Sequence, residues 1–227
     1  MNIKTKQLFE LPSAVLAVFA KEPRLGQVKT RLQPQLGAEG ALALHQGLIR
    51  TVFGNLKQAD LCPVELWVAA SDASSQPLQK HHELFLSICN IENIYNQEGA
   101  DLGARMQHAA RSVLARADCV VLVGADCPSV DADYLREALT LLRSGVPTVI
   151  GPADDGGYVL LGLREAPEYL FDAVPWGSDK VLEVTREHLR RHNAQWVELD
   201  PRWDVDRPED LERLATLCPE LLPKLGI

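Results

Sequence analysis

Two patterns of apolar residues take turns along this chain. The first is a short, continuous apolar run closed by turn-forming residues. Residues 14–20, 64–70, 119–125, 148–152 and 158–163 have this form. Such runs suit strands buried on both faces of a largely parallel sheet. Weaker strand signals lie between Ile88 and Gln97 and at Trp196–Leu199. The second pattern repeats every three to four residues, as on one face of a helix. It covers residues 38–58, 103–116, 131–142 and 179–192, with a shorter piece near 76–86 and a last helix entered from Asp206-Arg207-Pro208-Glu209-Asp210-Leu211.

Alternation of strands and helices predicts a three-layer α/β/α sandwich with a mostly parallel central sheet. The run at 148–152, the turn Ala153-Asp154-Asp155-Gly156-Gly157 and the run at 158–163 have no helix between them. The second half of the sheet should therefore be mixed. No repeat, low-complexity stretch or linker divides the chain, so residues 1–227 read as one domain, with 1–12 as a polar lead-in.

Composition narrows the function. The formal net charge is −8, which argues against a general nucleic-acid surface. No apolar run approaches the ~18 residues of a membrane span. The five cysteines are scattered without metal or redox spacing and suit reduced thiols in the cytoplasm. The six histidines are also scattered and read as surface or packing residues. A homodimer is compatible with the chain.

Candidate chemistry collects at strand ends. Val120-Val121-Leu122-Val123-Gly124-Ala125-Asp126-Cys127-Pro128 places Asp126 at the carboxyl end of a central strand, because Pro128 cannot continue a ladder. Ligands bind at this edge in open α/β sheets. A carboxylate there either holds a divalent cation beside substrate phosphates or caps the next helix. After the first strand, Lys21, Arg24, Lys29 and Arg31 surround Gly26, a grouping suited to phosphate oxygens or to a solvated basic loop. The loop matches neither the P-loop nor the Rossmann glycine pattern.

Gly99-Ala100-Asp101-Leu102-Gly103-Ala104-Arg105 is a turn that opens a helix. Asp101 either caps that helix or belongs to a turn closing over a nucleotide. The adjacent acids Asp154 and Asp155 suit a tight turn, general-base work or metal support. Gly156 and Gly157 would let a substrate approach the backbone. Trp176 can stack on a sugar or base. Asp204 and Asp206 share one side of an extended segment and can complete a cation site with Asp126, or they can open the last helix.

These stretches together resemble a known family. The matching residues are Phe19-Ala20-Lys21-x-Pro23-x-x-Gly26-x-Val28-Lys29-Thr30-Arg31-Leu32, Gln97-x-Gly99-x-Asp101-Leu102-Gly103-x-Arg105-Met106 and Gly124-Ala125-Asp126-Cys127-Pro128. Gly151-Pro152-Ala153-Asp154-Asp155-Gly156-Gly157-Tyr158 and Asp204-Val205-Asp206-x-Pro208-Glu209-Asp210-Leu211 complete the set. The sequence resembles the MobA/CofC-like bacterial transferases of the GT-A, or nucleotide-diphospho-sugar transferase, superfamily.

The resemblance implies a nucleotide site formed by Lys21, Arg24, Gly26, Lys29, Arg31, Asp101, Gly103 and Arg105. It implies Mg²⁺ or Mn²⁺ on Asp126 with a distant acid, Asp206 first and Asp204 second. Cys127-Pro128 stands where the superfamily's Asp-x-Asp motif carries its second acid. Lys29 with Asp155 or Asp154 would be catalytic. Gly156, Gly157, Tyr158 and Trp176 would meet the acceptor. The expected activity is transfer from a nucleotide sugar to an unknown acceptor. Nucleotidyl transfer from a nucleoside triphosphate, releasing pyrophosphate, and non-catalytic nucleotide binding are the alternatives.

Overall fold

The computed structural model describes residues 9–69, 78–89, 91 and 93–221. The lead-in before residue 9, and Ser71 and Asp72 after the second apolar run, lie outside them. The strands are β1 (Ala14–Lys21), β2 (Val64–Ala69), β3 (Ile94–Asn96), β4 (Cys119–Gly124), β5 (Thr148–Pro152), β6 (Tyr158–Leu163) and β7 (Val197–Glu198). The helices are α1 (Gln33–Ala59), α2 (Leu78–Cys89), α3 (Leu102–Leu114), α4 (Ala132–Arg143), α5 (Val181–Arg191) and α6 (Asp210–Leu217).

One seven-stranded sheet has the order β3-β2-β1-β4-β6-β5-β7. Only β6 runs against the others, pairing antiparallel with β4 and β5. The mixed second half comes from the glycine turn between β5 and β6. There Gly156 takes φ +90°, and Asp155 Oδ1 accepts the Gly157 amide at 3.0 Å.

The apolar runs are continuous because each strand packs on both sides. Leu16, Val18, Val121 and Val123 face α1, α2 and α4, which contribute Phe53, Phe85 and Leu139. Val15, Ala17, Val120 and Leu122 face α3 and α5, which contribute Val113 and Leu189. A third cluster joins Leu32, Leu44 and Leu48 to Val205, Leu211 and Leu214. That cluster is small, but it docks the segment before α6 against the loop after β1.

Three boundaries move. The chain turns helical at Gln33 and breaks at Gly37 (φ 68°, ψ 172°) before α1 continues. The region 88–97 yields only the three residues of β3, because α2 extends to Cys89 to bury Phe85 and Ile88. The last strand keeps two residues. Among the described residues no helix is long and apolar enough to cross a membrane.

Candidate active site

The basic loop leaves β1 beside the end of β4, since these strands are neighbours in the sheet. Its root is held from inside. His45 of α1 is 6% exposed, and its Nε2 lies 3.0 Å from the Lys21 carbonyl oxygen. Burial keeps that imidazole below the ordinary histidine range, with the nearby Lys29 ammonium acting in the same direction. Buried Glu22 accepts from Arg24 Nε at 2.8 Å, so the guanidinium is anchored within its own loop. Gly26 supplies the turn with φ +76°.

Lys29 ends the loop in the left-handed conformation, φ 46° and ψ 44°. This bend sends its side chain inward, where only 6% of it stays exposed. Its ammonium donates to Asp126 Oδ2 at 2.9 Å and to the Val205 carbonyl. One cation thus joins the loop after β1, the end of β4 and the segment before α6. Burial alone would depress the lysine's pKa, but Asp126 reverses the shift and raises it. Burial alone would raise the Asp126 carboxyl, and Lys29 holds it below the usual carboxylate range.

Asp126 does not cap the next helix. Asp131 does, accepting the Tyr134 amide at 2.9 Å. A Cβ on Gly124 would lie 2.7 Å from Asp126 Oδ1, so the glycine leaves room for the carboxylate to fold back over the strand end. Cys127, in place of a second acid, is buried, and its thiol points at Asp126 Oδ1 across 3.6 Å. Burial and the neighbouring carboxylates push that thiol well above its normal range, so it stays neutral.

The segment before α6 closes the cluster. The Val205 amide donates to the Asp126 carbonyl at 3.0 Å, and the Val205 side chain is fully buried. Asp204 and Asp206, on either side of it in the chain, both lie near the Lys29 ammonium. Arg31 Nη1 donates to Asp206. Asp204 stands among acids: burial, then Asp126, Asp155 and Asp206, raise its pKa to about 7 against the pull of Lys29.

Other residues singled out in the sequence make contacts within the fold. Asp101 caps α3, accepting the Ala104 amide at 2.8 Å, and Arg105 Nε donates to the Gly99 carbonyl at 3.2 Å. Asp154 is ion-paired with Arg213 of α6 at 2.8 Å, which leaves Asp155 nearer the acid cluster. A Cβ on Gly156 would come within 2.2 Å of the Asp179 carbonyl oxygen, so that glycine serves chain packing. Gly157 lies in the same turn and offers its amide to Asp155. Tyr158 and Trp176 meet edge to face, with ring centroids 6.2 Å apart. The Trp176 indole lies on Gly103, where a Cβ would fall 2.3 Å from Nε1. Trp176 therefore braces the start of α3.

The structure thus brings Lys29, Arg31, Asp126, Asp204 and Asp206 together. Lys21 is the last residue of β1, and Arg24 lies in the loop that carries Lys29. Sequence reasoning passed over His45 and Glu22. Its only available signal for them was a histidine at a core position of α1 and an acid inside a basic loop.

The donor set can be tested against the divalent cation that the resemblance implies. Among the described residues no three His, Cys, Asp or Glu side chains converge as a ready-made cage. The crowding that drives Asp204 upward is nevertheless the field a cation relieves. Mg²⁺ is commonly held by one or two carboxylates plus substrate phosphates, and the cluster fits that mode.

Comparison with known proteins bears on the family and the fold. Residues 49–178 match the family described as uncharacterised proteins conserved in bacteria (DUF2064). No curated protein matches the chain. A Desulfovibrio desulfuricans G20 structure, provisionally described as a nucleotide-diphospho-sugar transferase, is 29% identical with TM-score 0.78, covering 95% of this chain and 97% of its own. A cytidylyltransferase from Leptospira borgpetersenii is 16% identical with TM-score 0.57, covering 94% of each chain. Glucosyl-3-phosphoglycerate synthase from Mycobacterium tuberculosis, solved with Mn²⁺ and UDP, is 14% identical with TM-score 0.50, covering 95% of this chain and 81% of its own. The chain belongs to the DUF2064 family of bacterial proteins and has the fold of the nucleotide-using transferases.

Proposed function

We propose that this protein is a cytoplasmic, divalent-cation-dependent transferase that takes a nucleotide sugar and passes the sugar to an acceptor. The observation that carries the reading is the buried Lys29 ammonium, 2.9 Å from Asp126 at the end of the central strand and flanked by Asp204. Opposite charges held this close, at the edge where α/β sheets bind ligands, suit a substrate that brings phosphates.

Lys21, Arg24 and Arg31 meet phosphate oxygens at the rim, and Lys29 stabilises negative charge on the leaving phosphate from below. Asp126 and Asp204 hold Mg²⁺ or Mn²⁺, with Asp204 ahead of Asp206 because Arg31 already engages the latter. The cation would supply charge neutralisation at the phosphate oxygens. Asp155, free of the ion pair that occupies Asp154, orients the acceptor.

A second reading, nucleotidyl transfer from a nucleoside triphosphate, is favoured by the four cations of the first loop, which match a longer phosphate chain. The products separate the two. Incubation with nucleotide sugars, nucleoside triphosphates and an acceptor library in Mg²⁺ should release a nucleoside diphosphate. Release of inorganic pyrophosphate instead selects the second reading. Release of neither, across the panel, removes both.

A further inference from the structure

Beside α6 and the segment that leads into it lies a cavity of about 500 Å³. Its walls are Ser129, Arg202, Trp203, Arg213, Thr216 and Leu217, none of which belongs to the Lys29 cluster. A volume of this order suits a small organic ligand. The wall formed by residues 202 and 203 is fixed. The Arg202 amide donates to the Pro152 carbonyl at 2.9 Å, and the Arg202 carbonyl accepts the Asp154 amide at 3.1 Å. The Trp203 amide donates to Ser129 Oγ at 3.2 Å, and that hydroxyl donates back to the Trp203 carbonyl. On the α6 side Leu217 is 49% exposed, which leaves an apolar wall open to a ligand.

Both cations of the cavity lie over aromatic rings. Arg202 Cζ is 4.4 Å from the centre of the Tyr134 ring, and Arg213 Cζ is 5.0 Å from that of Trp203. A guanidinium that gives its face to a ring keeps its N–H edge for an anion. The Arg202 edge is nearly unused. Among the described residues it pairs with no carboxylate, and its one hydrogen bond is a long contact, 3.4 Å, from Nη1 to the Pro201 carbonyl. Arg213 meets Asp154 at 2.8 Å, with both side chains about half exposed. The chain has a net charge of −8, yet among the described residues only Asp154 answers these two arginines.

We propose that this cavity is a second ligand site, for a small organic anion: a carboxylate or phosphate joined to a flat apolar body. Arg202 and Arg213 take the anionic group, and Trp203 and Leu217 take the body. The anion competes with Asp154 for Arg213. Asp154 directly precedes Asp155, and Trp203 directly precedes Asp204. The cavity therefore shares its backbone with two acids of the candidate active site, and its occupant is placed to bias both.

Calorimetric titration of the full chain tests the assignment. The probes are benzoate and phenyl phosphate, with benzyl alcohol as the uncharged body and inorganic phosphate as the anion without a body. Wild type should bind one of the two aryl anions about tenfold more tightly than either control, a difference of one charge-assisted hydrogen bond. The preferred aryl anion names the anionic group. Arg202→Met should weaken that probe by about tenfold. Asp154→Asn should strengthen it, because Arg213 is then released from its carboxylate. Arg31→Met, in the basic loop, should leave it unchanged. Three outcomes overturn the assignment: neither aryl anion binds wild type better than the controls, binding is lost in Arg31→Met rather than in Arg202→Met, or Asp154→Asn binds no more tightly than wild type. The wild-type series, Arg31→Met and Asp154→Asn decide even if Arg202→Met fails to fold. No nucleotide enters the test, so its failure leaves the nucleotide reading standing.

Discussion

Lys29→Met is expected to abolish measurable transfer and to lower the stability of the fold. The ammonium is almost fully buried and satisfies both Asp126 and the Val205 carbonyl. Its removal leaves a carboxylate and a carbonyl without their donor. Breaking a fully buried pair costs ~3–5 kcal/mol. The Asp126 side chain is 37% exposed and keeps some water, so the lower figure of about 2–3 kcal/mol is expected here. For a chain of this size that is a fall of roughly 5–10 °C in melting temperature.

The double variant Lys29→Met/Asp126→Asn separates pairing from packing. With both charges gone it should melt above Lys29→Met, a coupling that only interacting groups show. A double variant no more stable than the single one would mean that lysine packing, not the ion pair, supports the fold. Loss of transition-state stabilisation should lower turnover by about 10²–10³-fold or more. An active Lys29→Met enzyme would remove Lys29 from the chemistry.

Asp204→Asn is expected to stabilise the protein while disabling cation-dependent binding. The carboxyl has a folded pKa of about 7, raised by burial and by Asp126, Asp155 and Asp206. Its unfolded value is about 3.9. Between these values the native state keeps a proton that the unfolded chain releases, so stability falls as pH rises through this window. Above pH 7 the destabilisation is complete.

Asparagine is neutral throughout. The variant should match wild type near pH 4 and exceed it at pH 8 by at least about 1.4 kcal/mol, the equivalent of one pKa unit. Added Mg²⁺ with nucleotide should then reverse the order, raising the melting temperature of wild type and leaving the variant nearly unmoved. Melting curves at both pH values, with and without the ion, check this. A variant that responds to Mg²⁺ and nucleotide like wild type would exclude Asp204 from the cation site.

The expectations from sequence reach as far as local chemistry reaches. The position of Asp126 was readable because an apolar, β-branched run ends in small residues and proline, and β4 stops at Gly124. The reversal of β6 was readable because an acidic glycine turn replaces a helix between two apolar runs. What joins these pieces was not. Lys29 meets Val205 across 176 residues, and no local pattern encodes that contact. The segment 203–206 is placed by Val205, Leu211 and Leu214 packing on Leu32, Leu44 and Leu48, a tertiary fit that also decides which acid Arg31 engages. His45 reads in sequence as a helix residue like any other, and only its burial against the Lys21 carbonyl gives it a part in shaping the loop. The contact of the Trp176 indole with Gly103, across 73 residues, is likewise not written in any local pattern.

The measurement that tests the central claim most directly is a thermal-shift screen of nucleoside diphosphates, triphosphates and nucleotide sugars, each with and without Mg²⁺ or Mn²⁺. A ligand at ~100 times its dissociation constant stabilises the native state by about 2.7 kcal/mol. For this chain that corresponds to a rise of roughly 5–10 °C. The account predicts such a rise for at least one nucleotide, larger with the divalent ion than without it, and absent in Asp126→Ala. Melting curves that do not move for any nucleotide, with either ion, would contradict it.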